Sequence, residues 1–217
     1  MIKYRLVYFN GGFMKINYDL KMQDIIKSNN GYVPTLLLHS CCAPCSSACL
    51  KKLCDYFKVT IIYYNPNIEP YDEYLKRKEE QKRFIKEYKT KYPVEFLDCD
   101  YDHDVFVELS KGLEQEPERG KRCLKCYRAR MEYTAVKAKE LGFNYFSTTL
   151  TLSPLKDSQV LNLIGESLEK KYNIKFLYSD FKKRNGNLDS IYLSKLYNLY
   201  RQDYCGCNFS KIKNIED

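Results

Sequence analysis

Residues 35–50 read TLLLHSCCAPCSSACL. Three leucines lead into His39, four thiols follow between positions 41 and 49, and Pro44 stands among them. A short apolar run closed by turn residues is the pattern of a buried strand. Proline suits the first turn of a helix, where its missing N–H costs no hydrogen bond. The stretch is therefore a strand, a turn and a helix, with thiols on the turn.

The same alternation continues along the chain. VTIIYYN (59–65) is a second strand, ended by the turn-rich NPNIEP, and a long charged helix runs over 71–89. VEFLDCD (94–100) is a third strand, 102–113 a helix and EQEPERGK a loop. A helix over 123–141 stops at Gly142, where a left-handed residue ends many helices. YFSTTLT (145–151) is strand four, SPLKDSQVLNLIGESLEKKY a helix with Pro154 in its first turn, and IKFLYSDF strand five. A last helix over 188–200 delivers the chain to YCGC. Strands alternating with helices predict an α/β fold: three layers, a mostly parallel sheet and a helical C-terminal extension. Residues 1–33, with Gly11 and Gly12, read as a poorly patterned leader, and 34–217 as a single α/β domain.

The 217 residues are 44% hydrophobic, enough for a core that needs no disulfides. Thirty-six Lys and Arg against 28 Asp and Glu leave a net charge of +8, which favours a polyanionic partner without requiring one. The N-terminal segment has no apolar run of signal-peptide length, and no run approaches a membrane span. The expectation is a cytoplasmic protein that engages no membrane. In that compartment thiols stay reduced, so ten cysteines point to metal or catalysis before disulfides.

Seven of them form three groups, each at the end of an element: Cys41, Cys42 and Cys45; Cys123 and Cys126; Cys205 and Cys207. A helix N-terminus favours thiolate, the form that binds metal. Cys123 and Cys126 are three apart at a helix start and share one face. Gly206 lets the backbone fold tightly enough for both flanking sulfurs to turn inward. One structural zinc closes with four ligands and leaves three thiols over, whereas an iron–sulfur cluster leaves three for a second metal or for redox work. The side chains of adjacent Cys41 and Cys42 are expected to diverge and to serve two neighbouring centres. Cys49 and Cys54 read as core; Cys99, between Asp98 and Asp100, reads as core packing, with a place facing the site as the alternative.

With these groups in place the sequence resembles the QueH-type epoxyqueuosine reductases. The resemblance is carried by LLLHSCCAPCSSACL, YYNPNIEPYDEYLKRKEEQKRF, LDCDYDHDVF, EPERGKRCLKCYRARM, YFSTTLTLSPLKDSQ and YRQDYCGC, in order from about Thr35 to Phe209. It implies a HUP-like, Rossmann-like catalytic domain and reduction of epoxyqueuosine to queuosine at the wobble position of tRNAs with GUN anticodons. It also implies a 4Fe–4S cluster with an additional iron, fed by an unidentified single-electron donor protein. On that basis Cys42, Cys123, Cys126 and Cys207 are expected on the cluster, and Cys41, Cys45 and Cys205 on the second iron. Members within each pair are interchangeable.

Converting an epoxide to an alkene takes two electrons, two protons and a Lewis acid to loosen the C–O bonds. Asp98, Asp100, Asp102, His103 and Tyr204 are the proton-donor candidates, with Asp100 and Tyr204 foremost; a cap or loop hydrogen bond explains each as well. Lys121, Arg122, Lys125, Arg128 and Arg130 surround the second cysteine pair and are expected on tRNA phosphates, with Tyr127 stacking on a base and Lys182, Lys183 and Arg184 elsewhere. The charges of KRKEEQKR (76–83) read as a solvated helix face. Two other functions compete. A tRNA-thiolating enzyme of the same superfamily would need a glycine-rich pyrophosphate loop, and HSCCAPC has no glycine. A zinc-bound nucleic-acid-binding module would have no use for seven grouped thiols.

Overall fold

Strand β1 (Thr35–His39) lies at the centre of a five-stranded, all-parallel sheet of order β3-β2-β1-β4-β5. The structure, a computed structural model, describes residues 15–211. The remaining strands are β2 (Lys58–Ile62), β3 (Glu95–Leu97), β4 (Tyr145–Thr148) and β5 (Lys175–Phe176). Side chains of a strand alternate between faces, and β1 shows it directly. Leu37 packs into one core, while Leu36 and Leu38 pack into the other, all of them fully buried.

The Leu37 face is covered by α5 (Lys121–Glu140) and α6 (Ser158–Tyr172), through Met131, Ala135, Leu161 and Ile164. The opposite face is covered by α2 (Ala43–Leu53) and α3 (Tyr71–Glu87), through Ala48, Leu50, Leu53 and Phe84. Helix α7 (Gly186–Leu196) packs outside α2, and the short α4 (His103–Ser110) packs against α5. This is the expected three-layer α/β fold. The chain leaves β1 toward β2 and β3, then returns to build β4 and β5 on the other side. The β1/β4 boundary is thus the point where strand order reverses, and ligands of such sheets sit there, beyond the carboxyl ends.

Several elements differ from their sequence pattern. Residues 18–28, read as leader, form α1 (Tyr18–Ser28), N-capped by Asn17. Met22 and Tyr18 are buried in the cores, so α1 is anchored to the fold, while Gly11 and Gly12 lie outside the described residues. The strand expected over 145–151 stops at Thr148, whose hydroxyl accepts the N–H of Leu150 at 3.2 Å and turns the chain into a 3-10 helix over Thr149–Leu152. A side chain that offers a local hydrogen bond competes with the strand ladder in this way. Strand β3 ends at Leu97, which puts Asp98, Cys99 and Asp100 in the following loop.

Helix α7 opens on Gly186, where an added Cβ would stand 1.7 Å from the carbonyl oxygen of Phe181. Backbone cannot swing away as a side chain can. Gly186→Ala is expected to cost about 1–3 kcal/mol, seen as a lower urea midpoint; an unchanged midpoint would contradict this packing.

Candidate metal centre

The turn between β1 and α2 begins the site. Cys42 is the N-cap of α2, in extended conformation (φ −172°, ψ 156°), and Cys45 lies in the first helical turn. The bend brings the sulfurs of Cys41, Cys42 and Cys45 within 4.8 Å of one another, with Cys41 and Cys42 only 3.9 Å apart. The expected divergence of Cys41 and Cys42 is therefore corrected: the chain turns between strand and helix, and side chains stop alternating. Among the described residues no other group of three or more Cys, His, Asp or Glu converges as closely. A single metal ion with sulfur ligands at roughly 2.3 Å matches that spacing.

The other four thiols assemble around a narrow cavity lined by Cys123, Cys126, Cys205 and Cys207. Cys123 and Cys126 come from the first turns of α5, and both are buried. Cys205 and Cys207 arrive on the C-terminal arm, where Gly206 has φ +136° and a Cβ would meet Ile68 at 2.9 Å. That arm is strapped down from the β2–α3 side. Buried Arg77 donates to the carbonyls of Cys205 (3.2 Å) and Tyr204 (3.4 Å) while held by Glu73 at 2.6 Å. Glu69 donates its N–H to the carbonyl of Gly206 and takes two hydrogen bonds from Asn208. All seven thiols thus lie in one region, three converging at the β1–α2 turn and four around the narrow cavity. Cys205 also lines the neighbouring cavity with Cys41 and Cys45.

Electrostatics separates the thiols. Thiol donors from Cys42 and Cys45 hold the Cys41 pKa well below the usual range. Burial pushes Cys126 up to about 12, and the neighbouring thiols add to it. Such a set loses all its protons only when a cation takes their place, which is how metal binding couples to thiol ionisation. A fully buried guanidinium, Arg130, stands among these groups with Nη1 and Nη2 unpartnered. A donor set of seven sulfurs beside an uncompensated buried cation fits an anionic metal–thiolate centre.

The cavity beside Cys41, Cys45 and Cys205 measures about 300 Å³ and is also lined by Glu118, Lys156, Gln202 and Tyr204. Gln202 donates to the sulfur of Cys42 at 2.9 Å. Lys156, Gln202 and Glu118 are lining residues that sequence reasoning missed, and Lys156 is the one that brings a positive charge. Burial opposes its charge, but Cys205 and Cys41 outweigh burial and raise its pKa. The signal was LSPLK, directly after a strand end; by itself that segment reads as a helix start.

Other expected residues lie differently. Asp100 is exposed, and half-exposed Asp98 pairs with Lys78 and Lys82. His103 binds the carbonyl of Pro66 at 2.8 Å and Tyr204 donates to the carbonyl of Glu69 at 2.5 Å. Asp102 is the N-cap residue of α4, with no side-chain cap hydrogen bond. Lys121 and Lys125 are on the surface and Arg128 is partly exposed, whereas Arg122 and Arg130 are interior, which corrects their expected role on phosphate. Arg122 ties down the carbonyls of Leu113, Glu114 and Glu116 and lies over the ring of Phe209. Tyr127 is buried too, Arg184 pairs with Asp19, and Lys182 caps the carbonyls of Thr151 and Lys156.

Fold and site together define a doubly wound α/β protein with a thiol-rich centre at its carboxyl edge. The sequence profile of the family described as "Epoxyqueuosine reductase QueH" matches residues 36–213. Several proteins named epoxyqueuosine reductase QueH are similar over most of their length. That of Streptococcus pyogenes serotype M1 is 44% identical over 93% of this chain and 81% of its own. That of Staphylococcus epidermidis is 42% identical over 92% and 86%, and that of Thermotoga maritima 33% identical over 84% and 93%. The chain belongs to the QueH family of epoxyqueuosine reductases, and is an oxidoreductase. Among the described residues no helix is long and apolar enough to cross a membrane.

Cys49 is fully buried in the sheet-facing core of α2, one turn beyond Cys45, and is not among the three thiols that converge at the turn. Cys49→Ala is expected to keep the metal content of the wild type and to cost about 1 kcal/mol of stability. Cys42→Ala and Cys126→Ala are expected to lose metal. Elemental analysis of anaerobically purified protein separates the two classes; equal metal in all three variants would remove the thiols from the centre.

Proposed function

We propose that this chain reduces epoxyqueuosine to queuosine at the wobble position of tRNAs with GUN anticodons, using a 4Fe–4S cluster and an additional iron. The observation that carries the reading is the meeting of seven thiols from three distant stretches beside a cavity at the β1/β4 boundary. The grouping favours Cys123, Cys126, Cys205 and Cys207 as the residues that would hold the cluster, which takes four thiolates. It favours Cys41, Cys42 and Cys45 for the single iron, three ligands that leave a coordination position open. When bound, the cluster supplies electrons one at a time and the open iron supplies Lewis acidity.

The chain's own residues do the rest. The cavity beside Cys41, Cys45 and Cys205 receives the epoxide ring. Two electrons and two protons convert the epoxide to an alkene and water. Lys156 is better placed than Asp100 or Tyr204 to hand a proton to the departing oxygen, because it lines the cavity and keeps its charge there. The Tyr204 hydroxyl is already committed to Glu69, and Asp100 faces solvent. Lys121, Lys125 and Arg128 ring the start of α5 on the surface and meet tRNA phosphates. Electrons come from a single-electron donor protein.

Nucleoside analysis of tRNA from a strain lacking the protein tests the activity. Epoxyqueuosine should accumulate, and the wild type but not Cys123→Ala should restore queuosine. Colourless, zinc-loaded protein without iron or acid-labile sulfide would sink the cluster. Binding to tRNA should weaken steeply between 50 and 200 mM salt, as counterion release requires. Lys121→Ala combined with Lys125→Ala should make that dependence shallower by about two phosphate contacts; an unchanged slope would move the tRNA elsewhere.

A further inference from the structure

We propose that Arg130 is a buried counter-charge of the thiol centre, beside Lys156 at its cavity, and helps set the potential at which that centre accepts electrons. The inference rests on the iron–sulfur reading above. Arg130 is fully buried on α5, one turn beyond Cys126 and therefore on the same helix face. Its neighbours along that stripe are Tyr127, Met131, Thr134, Ala135 and Ala138, none of them charged. A guanidinium presents five donors. Only Nε is engaged, donating to the carbonyl of Cys126 at 3.4 Å, while Nη1 and Nη2 have no partner.

A buried charge without a carboxylate is costly and is retained only where something negative faces it. Among the described residues Arg130 makes no salt bridge to Asp or Glu. The groups that favour its charge include thiols from all three stretches, Cys126, Cys205 and Cys41. It lines none of the cavities that a substrate could enter. Arg130 is therefore a positioning residue that works on the centre through its charge and does not touch the substrate. Reduction adds an electron to the centre, and a fixed cation in a low-dielectric surrounding favours the reduced form.

The test compares anaerobically reconstituted wild type, Arg130→Lys and Arg130→Met by iron and sulfide content and by a redox titration followed by electron paramagnetic resonance. Arg130→Met should shift the midpoint negative by at least about 59 mV, a tenfold change for a one-electron centre. Arg130→Lys should stay within half of that shift. A Met variant with full iron content and an unchanged midpoint overturns the proposal. Where Met prevents loading, circular dichroism and the Lys variant decide. Loading of Lys but not of Met, with both folded, supports the charge, and failure of both overturns it. Wild type that holds zinc alone overturns the iron–sulfur reading, and this role with it.

Discussion

The side chain of His39 holds the site's framework together. It is fully buried at the end of β1, and its two ring nitrogens reach the ends of the strands on either side. Nε2 lies 3.1 Å from the carbonyl of Tyr64, just past β2, and Nδ1 lies 3.1 Å from the hydroxyl of Thr148, the last residue of β4. A carbonyl only accepts, so Nε2 carries the proton and Nδ1 accepts from Thr148. Burial, with Arg130 adding to it, lowers the His39 pKa to about 4, which keeps the ring neutral and the donor–acceptor pattern intact. The same hydroxyl of Thr148 ends β4 by accepting from Leu150. Three strand ends are thereby set in one register immediately before the thiol turn.

From that fixed edge the rest is positioned by polar ties between elements. Ser40 donates to Gln81 of α3, and Asn65 donates to the carbonyl of Ser40, so the turn that carries Cys41 and Cys42 is gripped from both sides. Arg77 and Glu69 hold the C-terminal arm over the opening, and Arg122 secures the loop before α5. The ties of Ser40 and Asn65 are buried and neutral, while those of Arg77 and Arg122 are partly buried and charge-assisted, the stronger kind of hydrogen bond. They hold the thiols to a geometry that a flexible loop could not maintain, as a metal site needs.

Much of this was legible from local chemistry. The LLLH run, Pro44 and the strand–helix rhythm define β1, α2 and the parallel sheet, and the three thiol groups identify the centre. The ends of the short strands and α1 were not legible: β3 and β5 are found where expected but have only three and two residues, and the apolar spacing of Tyr18, Met22 and Ile25 is interrupted by lysine and aspartate. The direction in which Cys41 and Cys42 point depends on a backbone turn, not on their adjacency. Arg122 and Arg130 were misplaced because a cluster of basic residues looks the same whether it faces solvent or the interior. The useful signal was periodicity: positions 122, 123, 126, 127, 130, 131 and 134 form one helical stripe, and a stripe holding Cys and Met is the buried one.

The seven thiols also impose an order on synthesis. Cys41, Cys42, Cys45, Cys123 and Cys126 leave the ribosome before the arm with Cys205 and Cys207 does. At about 5–20 residues per second, a nascent chain spends several seconds with most of the sulfurs made and the last two still absent. If the four thiols hold the cluster as proposed, the full set exists only after translation has passed Cys207, so the centre would be completed after the arm is made. Ribosomal truncation before that point leaves sulfurs free to capture stray metal but not the full set, which makes the arm the element that separates finished enzyme from thiol-bearing debris.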